Sequence, residues 1–562
     1  MTDMSEVYTG GLGQSAGTPD TDGTKPASML KGVRAVLLRS PIVITVLLTT
    51  LVCCALLILP GGTATSRYFN DLLIFLDGGY RVVEGQVPNR DFHTALGPLS
   101  FYIPALGYWL SGNLGVAMPV GLAATLILTA PIMIHVLCTR VRPLIAVPWA
   151  IFVSLLMITP MNTGEIVINV SFAMFYNRIG WALLGLLLIM HLRPNRPVRY
   201  QRVLDTVAAT ALTIMLLYSK ATYGVVAIGF LCVMLLQPIQ RRWAAAAIAA
   251  VGVSAAVIEV FWGGTRMHIE DLQVASRVSA VLPLRDYVVS VFVTSGEYIM
   301  FGCLAVLALW QNGRFQDALF YAFCACAGYA LLIQNFQVRG VVTLLAGGVV
   351  AAEHLARQWR QGLPLVPDMV TRGGALVVCV LMLPIGLSSG AALGLHAAMI
   401  GTGAGITLDT PNGQDIRLVN TLDQGQFNFY ATYADSLEQG VALLEALDDP
   451  AAKVLVMDFV SPMTSLAGLD PPHGGSAWMH DGRNFDADSH FTAEELLDGV
   501  DMVMIPKKPI ATSVTELMEE IYGPYLEAHF QPVRNTSQWR VYQRQEQPLM
   551  PDEYRWNVSG NS

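Results

Sequence analysis

Charged residues are scarce in this sequence of 562 residues. Asp, Glu, Lys and Arg together make up 14% of it, against about 25% in an ordinary soluble domain. The mean hydropathy is +0.48, and 53% of the residues are hydrophobic. Apolar runs of about 20 residues recur, and each is long enough to cross a hydrocarbon core about 30 Å thick. A soluble globular fold is thereby excluded, and a polytopic α-helical membrane protein is predicted.

Cysteine is missing from the C-terminal part of the chain. The last of the eight cysteines is Cys379, and all of them lie in or at the ends of apolar segments. A disulfide framework in a C-terminal domain is therefore excluded. Small apolar packing inside a helix explains the pair Cys324 and Cys326 better than metal binding or redox chemistry does. The sequence also lacks basic tracts and zinc-ligand spacings, so nucleic acid is not expected as a partner.

A cleavable signal peptide is lacking as well. Residues 1–29 are rich in Gly, Ser, Thr, Asp and Pro, and the first apolar run begins only near Pro41. No convincing small-residue cleavage site follows that run, so we expect it to remain as the first membrane helix. Residues 1–40 are predicted to be a disordered cytoplasmic tail, because they contain too few apolar residues to build a core.

Eleven apolar segments are predicted to cross the membrane. They cover residues 41–60, 114–138, 143–160, 172–192, 203–219, 221–238, 243–262, 287–310, 317–333, 341–356 and 372–396. With the N-terminus in the cytoplasm, Arg and Lys collect in the loops on that same side, as the positive-inside bias requires. An odd number of spans then places the C-terminus in the periplasm. We predict a multi-pass protein of the bacterial inner (plasma) membrane, with a membrane domain over 41–398 and a periplasmic α/β domain over 399–562.

Residues 61–113 are predicted to form a large first periplasmic loop that carries two interfacial helices. Apolar residues recur every three or four positions from Tyr68 to Val83, as on one face of a helix. A polar turn follows at residues 86–92. The next apolar segment, 96–111, contains two prolines and is too short to span; if it did span, the later basic loops would face outward. We therefore place it in the membrane interface, where its Tyr and Trp residues are favoured.

Three stretches of this loop carry a resemblance to a known family. They are Asp71-Leu-Leu-Ile-Phe-Leu-Asp-Gly-Gly-Tyr-Arg81, Glu84-Gly-Gln-Val-Pro-Asn-Arg-Asp-Phe92 and Gly97-Pro98-Leu99. Together they resemble the first outer loop of GT-C superfamily membrane glycosyltransferases. The most similar branch is the bacterial one related to protein O-mannosyltransferases and lipid A aminoarabinose transferases. This chain differs from that branch at Asn89, where Tyr is usual, and at Leu72, where many relatives carry Glu.

The resemblance implies an enzyme that moves a sugar from a polyprenyl-phosphate donor to a hydroxyl of an envelope lipid, polysaccharide or protein. It maps the catalytic carboxylate of the family onto Asp71 and a second acidic position onto Asp91. Such a transfer needs a base for the acceptor proton and cations for the departing phosphate. No metal ligand is predicted, and a divalent metal is left open as a cofactor.

Further site residues are predicted from their charge at the outer surface, because ionisable groups in or near membrane spans are costly. The predicted substrate-binding residues are Asp77, Arg81, Arg90, Asp91, Arg178, Lys220 and Arg339. Five of these residues also have a structural alternative. Lys220 could extend to lipid head groups, and Asp91 could stabilise its own turn. Arg178 and Arg339 could each pair with a carboxylate such as Glu165 or Glu297, and Asp77 could simply face water.

The C-terminal domain is predicted to alternate strands and helices. The strands are expected at Lys453–Phe459, Asp501–Pro506 and Trp539–Arg544, and the helices near 435–448, 493–499 and 512–529. A long loop rich in Gly, Pro, His and Trp separates the first two strands and contains Arg483. Loops of this length are often functional. We expect this one to cap the membrane site or to bind the acceptor. The segment 263–286 is expected to be an ordinary polar loop, with a lid or an acceptor surface as the alternative.

Two other functions compete with the transferase hypothesis. A membrane transporter or lipid flippase is the main alternative, but transporters usually have duplicated halves, and the sequence has no internal repeat. A sensor that uses its membrane part only as an anchor would not need eleven spans.

Overall fold

The computed structural model describes residues 40–278, 284–334, 339–360, 368–447 and 452–545. The predicted N-terminal tail therefore lies almost wholly outside the described residues. The helices of the membrane part are α1 (Pro41–Ile58), α2 (Phe69–Val83), α3 (Leu99–Ser111), α4 (Ala117–Arg140), α5 (Pro143–Ile158), α6 (Phe175–Ile189), α7 (Gln201–Ser219), α8 (Ala221–Leu235), α9 (Arg241–Trp262), α10 (Thr265–Val278), α11 (Leu284–Asn312), α12 (Phe315–Gln334), α13 (Val342–Arg360) and α14 (Asp368–Gly401).

Helices account for all eleven predicted spans. Among the described residues, seven helical segments are long and apolar enough to cross a membrane; they correspond to α1, α4, α7, α9, α11, α12 and α14. Three shorter apolar helices, α5, α6 and α8, lie among them. The side chains of α6 are almost all buried by neighbouring helices, so α6 occupies the centre of the bundle. The prediction of a polytopic helical membrane protein with a C-terminal α/β domain is confirmed.

The first outer loop folds as a pair of packed helices. Helix α2 begins within one residue of the prediction, and its apolar stripe is buried from Phe69 to Tyr80. Helix α3 covers the predicted interfacial segment and packs tightly on both α2 and α4. At Gly107 the backbone of α3 comes so close to Ala117 at the start of α4 that a β-carbon would overlap its carbonyl oxygen. Only glycine permits this approach.

The C-terminal part contains β2 (Ile406–Thr407), β3 (Ile416–Leu418), α15 (Gln424–Glu445), β4 (Val454–Val456), α16 (Met463–Ala467), α17 (Ala493–Leu497), β5 (Met502–Pro506), α18 (Thr512–His529), β6 (Phe530–Asn535) and β7 (Trp539–Arg544). Its main sheet has the strand order β4-β5-β7-β6. Strands β4 and β5 are parallel, and the other two pairs are antiparallel. The three predicted strands are confirmed, and β6 is an additional strand that the sequence pattern did not indicate.

A second, smaller sheet joins the first outer loop to the C-terminal part. Strand β1 (Thr63–Thr65) from the outer loop pairs in parallel with β3, which also pairs with β2. Asn113, just before α4, donates a hydrogen bond to Asp415 at 2.5 Å. These contacts hold the C-terminal part over the end of the bundle where the first outer loop lies.

The expectation of an ordinary polar loop at 263–286 is wrong for residues 265–278, which form helix α10. The reason is a set of contacts to the turn after α2. The buried carboxylate of Asp271 accepts hydrogen bonds from the Asn89 side chain at 2.7 Å and from the backbone N–H of Thr94 at 2.9 Å. Residues 284–286 of that predicted loop are also helical, since they begin α11, and residues 279–283 lie outside the described residues.

Candidate functional site

Asp71 lies in the first turn of α2, where the helix dipole favours a carboxylate. The helix starts after Tyr68, whose φ of 56° is unusual for a residue other than glycine. Two aromatic contacts hold α2 in place. Phe75 packs edge-on against Phe175 of α6 at 4.9 Å between ring centres, and Phe69 packs against Tyr430 of α15 at 6.4 Å. Asp71 is thus fixed between the membrane bundle and the C-terminal domain.

The surroundings of Asp71 favour its protonated form more than water does. Burial raises the pKa of Asp71 to about 7, although the positive charge of Arg483 acts in the opposite direction. Asn70 donates a hydrogen bond to Oδ1 of Asp71 at 3.0 Å. The side chain still keeps part of its surface accessible. A carboxyl group that titrates near neutral pH and remains accessible is suited to general-base catalysis.

Lys220 occupies the sharp connection between α7 and α8. Its Nζ donates a hydrogen bond to Oδ1 of Asn177 at 3.2 Å and lies 5.3 Å from the ring centre of Tyr176. Burial lowers the pKa of Lys220 to about 7, and the neighbouring charge of Arg483 acts in the same direction. A bound anion would stabilise the charged form of such a lysine.

The first outer loop packs against Ser219, the residue before this lysine. Gly97 packs against the backbone of Ser219, and the hydroxyl of Ser100 donates a hydrogen bond to the carbonyl of Ser219 at 3.3 Å. A β-carbon at Gly97 would overlap that backbone, so the close contact depends on glycine. The segment Gly97-Pro98-Leu99, which is part of the family resemblance, therefore helps to position the connection between α7 and α8 that contains Lys220.

Arg483 brings the C-terminal domain into the site. It lies on the long loop between β4 and β5, close enough to Asp71, Lys220 and Tyr176 for its positive charge to act on all three. The loop is braced locally, since Asn484 donates a hydrogen bond to the carbonyl of Trp478 at 2.7 Å. Arg483 was not among the predicted site residues. Only the length and composition of its loop indicated a functional role.

A cavity of about 240 Å³ lies between the start of α2 and the C-terminal domain, next to Asn70, the residue before Asp71. Asn70 lines it from the α2 side, and the C-terminal domain contributes Phe459, His480, Asp481 and Ser513. The rings of Phe459 and His480 pack at 5.7 Å. Aromatic side chains next to polar groups are a common lining of small-molecule sites.

Asp77 and Arg81 were predicted to bind substrate, but both are buried and paired with each other. Nε of Arg81 donates to Oδ2 of Asp77 at 2.8 Å, and the two side chains are 1% and 2% exposed. The C-terminal domain completes their hydrogen bonding: Thr464 donates to Asp77 at 3.2 Å, and Arg81 donates to the carbonyl of Pro472 at 3.2 Å. Asp77 follows Asp71 by six residues, which turns it by about 120° around the helix. This geometry favours a structural role for the pair.

Arg90 and Asp91 form a surface ion pair at the turn after α2. The guanidinium of Arg90 contacts both carboxylate oxygens of Asp91 at 2.8–2.9 Å. Asp91 also accepts a hydrogen bond from the backbone N–H of Val87 at 2.7 Å, and the carbonyl of Asp91 accepts one from Gly474 at 2.7 Å. The structural alternative for Asp91, stabilisation of the turn, describes these contacts better than substrate binding does.

Arg178 is buried directly after Asn177, the partner of Lys220. Its Nη1 donates to Oδ1 of Asn162 at 2.9 Å and to the carbonyl of Ala173 at 3.0 Å. Its Nε and Nη2 have no hydrogen-bond partner within the described ranges. Glu165 lies close enough for its charge to act on Arg178. Arg178 therefore has two buried donors without a described partner, in the residue that follows the partner of Lys220.

Arg339 lies at the exposed start of the segment that leads into α13. Its backbone packs against Gly164 in the loop between α5 and α6. Residues 335–338, which belong to the same predicted motif, lie outside the described residues. Its role in phosphate binding stays a prediction. Glu297, offered as a partner for an arginine, accepts hydrogen bonds from the backbone N–H groups of Gly340 and Val341 at 2.9 and 2.8 Å.

The described residues contain one group that could hold a metal ion by ligand type and distance. It consists of His191, Asp317 and His354, whose ligand atoms lie within 4.8 Å of one another. This group lies among the other ends of the helices, beyond the C-terminus of α6. A metal bound there would not touch the surroundings of Asp71.

Comparisons with known proteins gave similarity at the level of fold. No family model matches the sequence, and no curated protein matches it significantly. Among solved structures, the chain is similar to ArnT from Cupriavidus metallidurans bound to undecaprenyl phosphate, with 12% identity and a TM-score of 0.44 over 92% of this chain and 98% of that one. It is also similar to the apo state of that protein, with 12% identity and a TM-score of 0.42 over 88% and 97%.

ArnT is a lipid A aminoarabinose transferase, the type of enzyme whose first outer loop this sequence resembles. Binding of undecaprenyl phosphate is a property of that protein. With TM-scores below 0.5, the function of this chain has to be inferred from its own side chains.

Proposed function

We propose that this protein transfers a sugar from a polyprenyl-phosphate donor to a hydroxyl group of an envelope lipid, polysaccharide or protein. One observation carries the proposal. An accessible carboxyl group with a raised pKa, Asp71, shares its site with two cations, Lys220 and Arg483, beside a membrane bundle. A glycosyl transfer from a lipid phosphate needs this combination, because it must accept a proton and also stabilise a phosphate leaving group.

In the proposed reaction, Asp71 accepts the proton of the acceptor hydroxyl as its oxygen attacks the anomeric carbon. The bond between that carbon and the phosphate oxygen breaks, and the bonding electrons leave with the phosphate. Lys220 and Arg483 stabilise the negative charge that develops on the phosphate oxygens. The unused donors of Arg178 are suited to the same task, because charge-assisted hydrogen bonds to phosphate are strong.

The place of the site in the fold supports a lipid-linked donor. Lys220 lies between two apolar helices, so an anion bound to it would lie near the end of the hydrophobic bundle. A polyprenyl chain could then remain in the membrane while its phosphate reaches the site. From the distribution of basic residues we place this end at the periplasmic face of the inner membrane, with the N-terminus in the cytoplasm.

The C-terminal domain is proposed to cover the site and to help bind a glycan. Its loop supplies Arg483, whose charge acts on Asp71, and the aromatic wall of the cavity next to Asn70. The backbone N–H of His93 donates to the carbonyl of Gly475 at 2.9 Å, which anchors that loop to the first outer loop. A water-excluding cover strengthens electrostatic stabilisation of a charged transition state.

The proposal is tested by mass spectrometry of envelope glycolipids and polysaccharides in a deletion strain. The strain is restored with the wild type, with Asp71→Asn, or with Asp488→Asn as a control at an exposed carboxylate. We expect one sugar to disappear on deletion and to return with the wild type and with Asp488→Asn only. The missing mass identifies the sugar and the acceptor together. Full restoration by Asp71→Asn would falsify the role of Asp71, and an unchanged set of glycans would favour the transporter or flippase alternative.

A further inference from the structure

A second polar cavity, of about 590 Å³, lies at the opposite end of the bundle. Helix α4 connects the two ends. It starts near Asn113, which is bonded to Asp415 of the C-terminal part, and it ends at Arg140 in the second cavity. Its 24 residues span about 36 Å at about 1.5 Å per residue. The second cavity is therefore separate from the surroundings of Asp71.

Arginine dominates the lining of this second cavity. The six arginines are Arg140, Arg142, Arg193, Arg196, Arg314 and Arg357. Asp317 is the one carboxylate among the lining residues. The positive-inside bias explains why arginines lie at this end of the helices. It does not explain why so many converge on one cavity.

Three of these arginines have protein partners. Arg140 pairs with Asp205 at 2.7 Å, and Arg142 pairs with Glu353 at 3.1 Å. Arg357 donates hydrogen bonds to the carbonyl of Arg193 at 2.9 Å and to the carbonyl of Arg140, the last residue of α4, at 2.5 Å. These three build the walls of the cavity.

The remaining three, Arg193, Arg196 and Arg314, make no side-chain hydrogen bond or ion pair within the described part of the chain. Burial lowers the pKa of Arg193, and the like charge of Arg314 adds to this effect, while Asp317 opposes it. Holding two guanidinium groups close together is unfavourable unless an anion lies between or beside them.

Two histidines line the same cavity and suggest a competing ligand. Nε2 of His191 lies 3.0 Å from Oδ1 of Asp317, and Nδ1 of His354 lies 3.0 Å from the hydroxyl of Tyr321. Nδ1 of the buried His191 has no partner within the described ranges. This set resembles a divalent metal site in its ligand types. The surrounding guanidinium charges, however, repel a dication and attract an anion.

We propose that this second cavity binds a phosphate group, held by Arg193, Arg196 and Arg314. Guanidinium groups bind phosphate oxygens through paired, charge-assisted hydrogen bonds. The phosphate could belong to a membrane lipid head group or to a soluble phosphate ester, since both present the same oxygens to the arginines.

The test uses the purified full-length protein in nanodiscs of neutral phosphatidylcholine. Thermal unfolding is followed during titration with glycerol 3-phosphate, and separately as phosphatidylglycerol replaces part of the neutral lipid. The variants are Arg193→Gln/Arg314→Gln, which removes two charges, and Arg202→Gln, which removes an exposed arginine at the start of α7, outside the cavity. Lys220→Gln reports on phosphate binding at the first site.

We expect a stabilising shift that saturates with one of the two probes, and the probe that gives it identifies the source of the phosphate. The double variant should weaken the apparent affinity about tenfold or more, since each charge-assisted hydrogen bond contributes substantially. Arg202→Gln and Lys220→Gln should leave it unchanged. Equal affinity in the double variant overturns the proposal, as does loss of the shift in Lys220→Gln alone. Stabilisation by Zn²⁺ alone, abolished in His191→Asn/His354→Asn, would replace the phosphate with a metal.

Discussion

The two halves of helix α2 carry similar carboxylates in opposite situations. Asp71, in the first turn, has no cation within its own helix turn, keeps accessible surface and has a raised pKa. Asp77 lies less than two turns further on, where Arg81 and Thr464 fill its hydrogen-bonding capacity. The difference shows that helix position and side-chain type do not decide whether a carboxylate is available for chemistry. The part of the chain that packs over the carboxylate decides whether it is available.

Asp71→Asn should have the largest effect on activity. Removing the proposed base is expected to lower the transfer rate by about 10²–10⁴-fold, the usual contribution of general acid–base catalysis. Thermal stability should not fall, because the ionised carboxylate is disfavoured by its surroundings and the amide carries no charge. Transfer of sugar to the acceptor and thermal unfolding are measured on the same preparation. If Asp71→Asn lost stability and activity together, Asp71 would have a structural role like that of Asp77.

Asp77→Asn should lower stability and leave the transfer rate unchanged. It leaves the buried guanidinium of Arg81 without its carboxylate, which is expected to cost about 3–5 kcal/mol of stability. The folded fraction in detergent and the midpoint of thermal unfolding should therefore drop. The fraction that remains folded should keep the wild-type rate per molecule. Loss of rate without loss of folded protein would return Asp77 to the substrate-binding residues.

Arg483→Gln is expected to raise the KM for the donor about tenfold or more, because a charge-assisted contact to phosphate is lost. Folding should not change, since Arg483 is exposed on its loop. Arg534→Gln, at an exposed position of strand β6, serves as the control and should leave the KM unchanged. An unaltered KM in Arg483→Gln would mean that the C-terminal domain covers the site without contacting the donor.

The pH dependence of kcat/KM should be bell-shaped with both limbs near pH 7. Asp71 must lose its proton to act as a base, so activity should rise as pH increases through its pKa of about 7. Lys220 must keep its proton to bind phosphate, so activity should fall as pH increases through its pKa of about 7. Lys220→Arg should move the falling limb to higher pH, since a guanidinium stays protonated. A falling limb that stays in place would assign it to another group.

Arg90→Gln should have the smallest effect. The pair between Arg90 and Asp91 is exposed on the arginine side, so its loss should change stability by about 1 kcal/mol or less. Asp91 keeps its hydrogen bond from the backbone of Val87 in this variant. Activity and thermal stability close to those of the wild type are expected. A marked rise in the KM for the substrate would support the original substrate-binding prediction for Arg90.

Much of the architecture could be predicted from the sequence because membrane helices and buried strands leave local signals. Apolar length located a helix at each of the eleven predicted spans, and the three- and four-residue spacing located α2 within one residue. Strand β7 was predicted with its observed limits, Trp539–Arg544. The segment that became α10 was missed, because its hydrogen bonds to Asn89 and Thr94 connect distant parts of the chain.

For the candidate site, the sequence by itself determined which charged residues lie at the membrane surface, since a charge near an apolar span is conspicuous. Arg178 and Lys220 were predicted in this way, and Asp71 was predicted from the family resemblance of the first outer loop. Only the tertiary structure decided how these charges are used. It paired Asp77 with Arg81, left donors of Arg178 unused, and brought Arg483 to Asp71 across about 400 residues of sequence. The reason is that the pairing, burial and pKa of a charge depend on neighbours in space, which hydropathy and spacing along the chain do not encode.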